Sequence, residues 1–119
     1  MSLSIEVRET NQVIVLELAG RLSVLEMRLQ HLVRELIQRG ERHFVINLAN
    51  VSYLDNSGLG QLCWIYTALR DRGGEMRLVK PTSRTRKLLS MTKLDTVFQA
   101  CDCETEAIAS MNFRAVLSA

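Results

Sequence analysis

The chain has 119 residues, of which 47% are hydrophobic and 24% are charged, with a formal net charge of +2. This length fits one domain with its own core, and the composition is that of an ordinary globular protein. No apolar run approaches the roughly 20 residues needed to cross a bilayer. The first residues also lack the basic and apolar regions of a signal peptide. We therefore expect a cytoplasmic protein with no membrane interaction.

The first elements are predicted to be a hairpin and a helix. Residues 5–8 and 13–18 alternate between apolar and polar side chains, with Asn11 and Gln12 between them, which predicts two paired strands. Ser23 and Glu26 have the spacing of a capping box, and Gly40 is a predicted helix terminator. Between them lies an apolar stripe at helical spacing, formed by Leu25, Leu29, Leu32, Val33, Leu36 and Ile37.

Strands and helices then alternate. Residues 44–48 predict a central strand, 49–56 a loop, 57–72 a second helix and 76–79 a further strand. Thr82 or Ser83 is expected to cap a short helix. Residues 94–100 predict an edge strand and residues 104–111 a last helix. The resulting order, β-β-α-β-α-β-α-β-α, predicts an α/β fold with a largely parallel or mixed sheet and helices packed on it.

The segment 54–60 is the most informative for function. Ser57 is predicted to be the N-cap of the second helix, where backbone amides lack partners and the helix dipole is positive. Gly58 and Gly60 would leave the space around Ser57 open for a phosphate. The alternative is that Ser57 is only a cap and that the glycines only let the helix approach the sheet.

The residues Asp55, Ser57, Gly58 and Gly60 resemble the D-x-S-G-[apolar]-G signature of STAS domains, in particular the anti-sigma-factor antagonists. Further segments resemble the family's other elements, namely residues 13–22, 44–48, 73–76 and 88–94. The resemblance implies a single STAS-like domain over residues 4–111, with a mixed sheet of about five strands and helices mainly on one face. Residues 112–119 are then an unassigned C-terminal tail.

The resemblance also implies a bacterial partner switch in transcription regulation. The unphosphorylated protein would bind an anti-sigma factor that is also a serine kinase with a histidine-kinase-like ATPase fold, and so free a sigma factor. Phosphorylation of Ser57 would release this partner, and a serine phosphatase would reset the cycle. Two positions differ from the family pattern: Ser23 stands where an acidic residue is common, and Asn56 where serine is frequent.

Helical geometry predicts which side of the second helix meets the partner. The inner stripe consists of Leu59, Leu62, Cys63, Tyr66 and Leu69. The opposite, outward side is expected to carry Ser57, Gln61, Trp64 and Ala68. Trp64 is there either an interface anchor or a cover for a neighbouring helix or loop. The predicted partner-binding residues are Ser23, Asp55, Asn56, Ser57, Gly58, Gln61, Trp64 and Ala68.

Basic residues concentrate between positions 70 and 93, where they form either a solvated surface or a patch for an acidic partner. They are Arg70, Arg72, Arg77, Lys80, Arg84, Arg86, Lys87 and Lys93. No aromatic residues are interleaved with them for base stacking, so we expect no direct contact with nucleic acid.

We expect no catalytic residues, metal or cofactor. Asp55 occupies the position that glycine takes in the G-x-S-x-G motif of serine hydrolases. Cys101 and Cys103 have no second cluster to complete a zinc site, and the odd cysteine count predicts reduced thiols. A competing interpretation is a STAS regulatory module of a transporter or signalling assembly, binding nucleotide or lipid without phosphorylation, although no P-loop motif is present.

Overall fold

The structure, a computed structural model, describes residues 3–23, 26–98 and 100–113. One sheet contains five strands in the order β1-β2-β3-β4-β5. They are β1 Leu3–Thr10, β2 Val13–Leu22, β3 His43–Leu54, β4 Glu75–Val79 and β5 Ala100–Cys101. β1 and β2 are antiparallel, and the other neighbours are parallel. The predicted single α/β domain with a mixed five-stranded sheet is confirmed.

Of the four α-helices in the described part of the chain, three cover one face of the sheet. The helices are α1 Arg28–Gln38, α2 Asn56–Arg70, α3 Ser83–Met91 and α4 Glu104–Ala109. Leu29, Leu62 and Leu89 bring α1, α2 and α3 into one buried cluster, whereas Ala107 of α4 packs in a second cluster. Each fully buried leucine contributes about 1.5–3 kcal/mol to folding, so the larger layer dominates the core. Among the described residues, no helix has the length and apolar character to span a membrane.

The hairpin between β1 and β2 was predicted correctly. Thr10 pairs with Val13, so the connecting loop is only Asn11 and Gln12. Both loop residues have positive φ, at 51° and 66°, as in a type I′ turn, whose twist matches that of the strands.

The start of α1 differs from the prediction. Ser23 is not its N-cap: the helix begins at Arg28, and Met27 occupies the N-cap position. Glu26 is not the N3 residue of a capping box but precedes the helix, where its carboxylate accepts the backbone N–H of Arg28 at 3.0 Å. A segment of several residues therefore separates the end of β2 from the start of α1. Leu25 lies outside the described residues.

The end of α1 follows the prediction. Gly40 has a φ of +103°, which favours glycine. Its N–H donates to the carbonyl of Ile37, and the N–H of Glu41 donates to that of Leu36, both at 3.0 Å. This pair of bonds is a Schellman motif with Gly40 at C′.

β3 is longer than predicted. Residues 49–54, expected in a loop, continue the strand to Leu54. The register between β2 and β3 shifts on both sides of Ala19 and Gly20, and such irregularities break the alternation of apolar and polar residues. Val51 is buried, whereas Tyr53 and Leu54 are half-buried.

The predicted strand over residues 94–100 is wrong for most of its length. Leu94–Thr96 form a 3-10 helix, and among the described residues of this segment the pairing with β4 is limited to Ala100–Cys101. α4 ends at Ala109 rather than at residue 111. Asn112, at the start of the predicted tail, lies on the sheet, because its N–H donates to the carboxylate of Glu75 at 2.7 Å. Residues 114–119 lie outside the described part.

Candidate functional site

The first turn of α2 lies at the carboxyl-terminal edge of the parallel strands. β3 ends at Leu54 and α2 begins at Asn56. Leu54 pairs with Leu22, the last residue of β2, so Ser23 and Asp55 follow neighbouring strand ends. The fold therefore brings two of the predicted partner-binding residues to the same edge.

Asp55, and not Ser57, is the N-cap of α2. Its backbone is extended, with φ −110° and ψ −171°, and its Oδ1 accepts the N–H of Gly58 at 2.9 Å. The carbonyl of Asp55 accepts the N–H of Leu59, which begins the helix. Aspartate and serine are comparable N-caps, so residue type alone left the choice open. The helix thus starts one residue earlier than predicted.

Ser57 is the second residue of the helix, and its side chain is exposed. Within the described part of the chain, its hydroxyl has no hydrogen-bond partner, and neither do the backbone amides of Asn56 and Ser57. These amides belong to the helix start, where the macrodipole contributes partial positive charge. The hydroxyl is accordingly available for modification, in a setting that stabilises negative charge.

The two glycines beside Ser57 have different roles. A Cβ added at Gly58 would lie 2.2 Å from the carbonyl oxygen of Leu22, whereas one added at Gly60 would meet nothing within 4 Å. Gly58 therefore lets α2 approach β2, which is the alternative role that the sequence left open for it. Gly60 is exposed and leaves bare the helix surface near Ser57.

Gln61 is buried and faces the segment after β2, which corrects its predicted outward orientation. Its side chain is 9% exposed, and its Nε2 donates to the carbonyl of Ser23 at 2.9 Å. Among the described residues, its buried Oε1 has no partner. The bond brings Ser23 against α2 one turn after Ser57.

Trp64 and Ala68 turn toward α1. Both are partly buried against the core, and the guanidinium of Arg34 on α1 lies 5.0 Å from the Trp64 ring centroid. The tryptophan therefore covers the flank of a neighbouring helix. Of the predicted inner stripe, Leu59, Leu62 and Leu69 are buried, and the sequence analysis missed buried Ile65.

A family model described as "STAS domain" matches residues 4–107. The chain belongs to the STAS family. An anti-sigma F factor antagonist from Paenibacillus polymyxa is 30% identical to it over 116 residues, which cover 93% of this chain and 97% of that relative. The match lies within the predicted domain of residues 4–111, whose limit at residue 111 stays a prediction.

Solved structures show the same fold. An anti-sigma factor antagonist from Mycobacterium paratuberculosis superposes with a TM-score of 0.81 at 22% identity, covering 92% of this chain and 93% of that chain. The phosphorylated form of the Bacillus cell fate determinant SpoIIAA gives a TM-score of 0.68 at 23% identity, covering 89% and 97%. The Paenibacillus and Mycobacterium proteins are named as antagonists of anti-sigma factors, and such antagonists are regulators.

The STAS domain carries one pair at this edge that the sequence analysis missed. Arg21 is exposed, and its guanidinium lies 4.0 Å from the centroid of the Tyr53 ring. The two residues pair across β2 and β3, just before Ser23 and Asp55. The expected loop at residues 49–56 concealed the pairing, because only a strand places these side chains opposite each other.

The basic residues of positions 70–93 do not lie on one surface. Arg77 is buried, and its guanidinium binds the Glu75 carboxylate at 2.9 Å and the Ser110 hydroxyl at 3.0 Å. Lys80 follows β4, at the edge where α2 begins, whereas Arg70 lies at the far end of α2. This distribution favours the solvated-surface interpretation over a single patch for an acidic partner.

Proposed function

We propose that this STAS domain is an anti-sigma factor antagonist controlled by phosphorylation of Ser57. The observation that carries the proposal is the exposed hydroxyl of Ser57 at the second position of α2. This hydroxyl does not cap the helix, because Asp55 is the N-cap. A serine engaged in capping would have to give up its bond on modification. Ser57 can be modified without loss of the cap.

The site is suited to holding a phosphate without unfolding. The amides of Asn56 and Ser57 are free to donate, and Gly60 adds no side chain near them. A phosphate adds about −1.5 to −2 charges, which the helix start accommodates. The Asp55 carboxylate remains committed to the amide of Gly58.

The proposed partner is an anti-sigma factor that is also a serine kinase with a histidine-kinase-like ATPase fold. The unphosphorylated domain binds it in the cytoplasm and so frees a sigma factor. The kinase transfers the γ-phosphoryl group of ATP to Ser57, and the complex dissociates. A serine phosphatase restores the free hydroxyl. The domain is then a substrate rather than an enzyme. His43, as a base for Ser57, would be out of reach, because it lies at the opposite end of β3, roughly 35 Å of extended chain away.

The proposed contact surface is the exposed part of this edge. It comprises Asn56, Ser57 and the bare surface at Gly60, with Ser23 and Asp55 beside them. Gly58, Gln61, Trp64 and Ala68 support this surface from within, because they pack against β2, the segment after it and α1. A phosphate on Ser57 then acts on the docked partner by bulk and by like-charge repulsion with acidic groups.

Binding of the Ser57 variants tests the proposal. Immobilised wild type, Ser57→Ala and Ser57→Glu are incubated with extract of the source cell, and retained proteins are identified by mass spectrometry. We expect a protein with a histidine-kinase-like ATPase domain on the first two and its loss on the third. Thr105→Glu is the matched control, because Thr105 is the exposed second residue of α4, on the other face of the sheet. Equal retention by all four proteins contradicts the switch.

The phosphorylation step has its own test. The retained kinase, purified and supplied with ATP, should add one phosphoryl group to wild type and none to Ser57→Ala. Peptide mapping should place the group on Ser57. Modification of another residue, with Ser57 untouched, contradicts the assignment.

A further inference from the structure

β1 is the long open edge of the sheet. It has eight residues and pairs only with β2, whereas β5 at the other edge has two. An edge strand presents a row of unpaired N–H and C=O groups that can pair with another chain. The length of β1 makes it the edge able to form several such bonds.

The partners of Leu3 show which backbone N–H and C=O groups of β1 point away from β2. A guanidinium N–H of Arg28 donates to the Leu3 carbonyl. Hydrogen bonds from Arg28 and, to a smaller extent, from the Leu3 amide hold the pKa of the Glu26 carboxyl below its usual value. Both backbone groups of Leu3 thus point away from β2. Because this direction alternates along an antiparallel strand, Ile5, Val7 and Glu9 also direct their backbone groups outward.

The side chains of β1 are complementary to those of a second β1. When two copies pair antiparallel about a twofold axis at Val7, each Glu6 lies opposite an Arg8 of the other copy. Val7 lies opposite Val7, and among the described residues it is one of four large apolar residues that are well exposed, at 47%. Opposite charges and apolar pairs placed directly across from each other stabilise antiparallel strands.

Within one copy, the charges of β1 are not balanced in this way. Glu6 lies opposite Glu17 of β2, and among the described residues no ion pair involves Glu6. Arg8 contacts Glu104 at 2.8 Å and Glu17 at 3.4 Å, yet 44% of its side chain remains exposed. A second Arg8 would give Glu6 the cation that its own chain does not provide.

We infer that β1 is a dimerisation strand, through which two copies of this chain join their sheets into one of ten strands. The alternating outward groups give bonds between Ile5 and Glu9 and between the two Val7 residues. The pairing between the two copies would end before Leu3, because the Leu3 carbonyl is already bound by Arg28 and Leu3 would lie opposite Asn11, where the hairpin turns. Charges on an edge strand can also prevent pairing, but here their order favours a second copy. This inference does not depend on Ser57.

Charge reversal tests the dimer. Glu6→Arg places arginine opposite Arg8 twice, and Arg8→Glu places glutamate opposite Glu6 twice, so each variant should dimerise at least about tenfold more weakly than wild type. An equimolar mixture of the two variants restores both opposite-charge pairs. We expect wild-type dimers and mixed heterodimers in sedimentation velocity and native mass spectrometry, and monomers of each variant alone.

The controls separate dimerisation from folding. Glu6→Arg gives Glu17 an opposite charge in its own chain, so at concentrations where wild type is monomeric this variant should melt no lower than wild type. Val7→Lys leaves the Arg8 contacts in place and sets two lysines against each other at the twofold axis. Asp95→Arg makes the same change of charge as Glu6→Arg at an exposed residue away from β1, and it should not affect the dimer. Wild type that stays monomeric at its highest soluble concentration overturns the inference, and so does an unaffected dimer in Glu6→Arg and Val7→Lys.

Discussion

The carboxylate of Asp55 accepts the N–H of Gly58 at 2.9 Å, and Ser57, which lies between them in the chain, keeps an exposed side chain. Removal of this cap should therefore cost stability, whereas changes at Ser57 should not. We expect Asp55→Ala to lower the free energy of unfolding by about 1 kcal/mol and Ser57→Ala to change it by less than about 0.5 kcal/mol. Urea denaturation measures both. The reverse order would make Ser57 the cap.

Gly58 and Gly60 should respond to alanine with opposite signs. The Gly58→Ala methyl group would collide with the backbone carbonyl of Leu22, which cannot move aside as a side chain can. We expect a loss of about 2–3 kcal/mol. Gly60→Ala fills open space on a helix and should gain up to about 1 kcal/mol. Thermal and urea unfolding of the two variants provide the comparison, and equal losses at both positions would contradict the close approach of α2 to β2.

Phosphorylation of the free domain should leave its backbone nearly unchanged. The added charge falls at the start of α2, whose amides and dipole accommodate it. In amide NMR spectra, we expect large shift changes only around residues 55–61 and in the adjoining segment at Ser23. Large changes at the far end of α2 or in α4 would show that the switch works by rearranging the fold instead of blocking a surface.

The ion pair between Arg8 and Glu104 should make stability depend on pH. Hydrogen bonds from Arg8, and to a lesser extent from Asn47, hold the pKa of Glu104 below its usual value against the effect of burial. A carboxyl whose pKa is lower in the folded state stabilises the fold above its unfolded pKa and loses this contribution as pH falls through the folded pKa.

Glu104→Gln isolates this contribution. At neutral pH, the variant should be less stable by about 1 kcal/mol or less, since Arg8 is partly exposed. The difference from wild type should shrink as pH falls below the usual glutamate range, and vanish once the carboxyl is protonated in the folded protein. Urea denaturation across that range measures it. A difference that is constant with pH would mean that the carboxylate charge does not contribute.

The sequence predicted those parts of the fold that depend on local patterns. The turn at Asn11 and Gln12, the termination of α1 at Gly40 and the cap at Thr82 each rest on residues close together in the chain. The order of strands and helices followed from hydrophobic periodicity. The segment 54–60 was recognised because its residues are contiguous.

The errors arose where contacts between distant segments decide the outcome. Gln61 occupies an outward position on a helical wheel, but the chain after β2 folds over it and supplies the Ser23 carbonyl. Trp64 is covered by α1 in the same way. The end of β3 was read as a loop because the register shifts against β2 break the alternation of its side chains. No local pattern in the sequence signals these tertiary contacts.

The surroundings of Ser57 join parts of the chain that are 38 residues apart, as the bond from Gln61 to Ser23 shows. They exist only after β2 and β3 have paired, so a nascent or damaged chain contains the serine without its setting. A short peptide of residues 50–65 should consequently be a poor substrate for a kinase that acts on the native domain. Phosphorylation at this position would therefore be restricted to folded molecules, and unfolded or damaged chains would not take part in the switch.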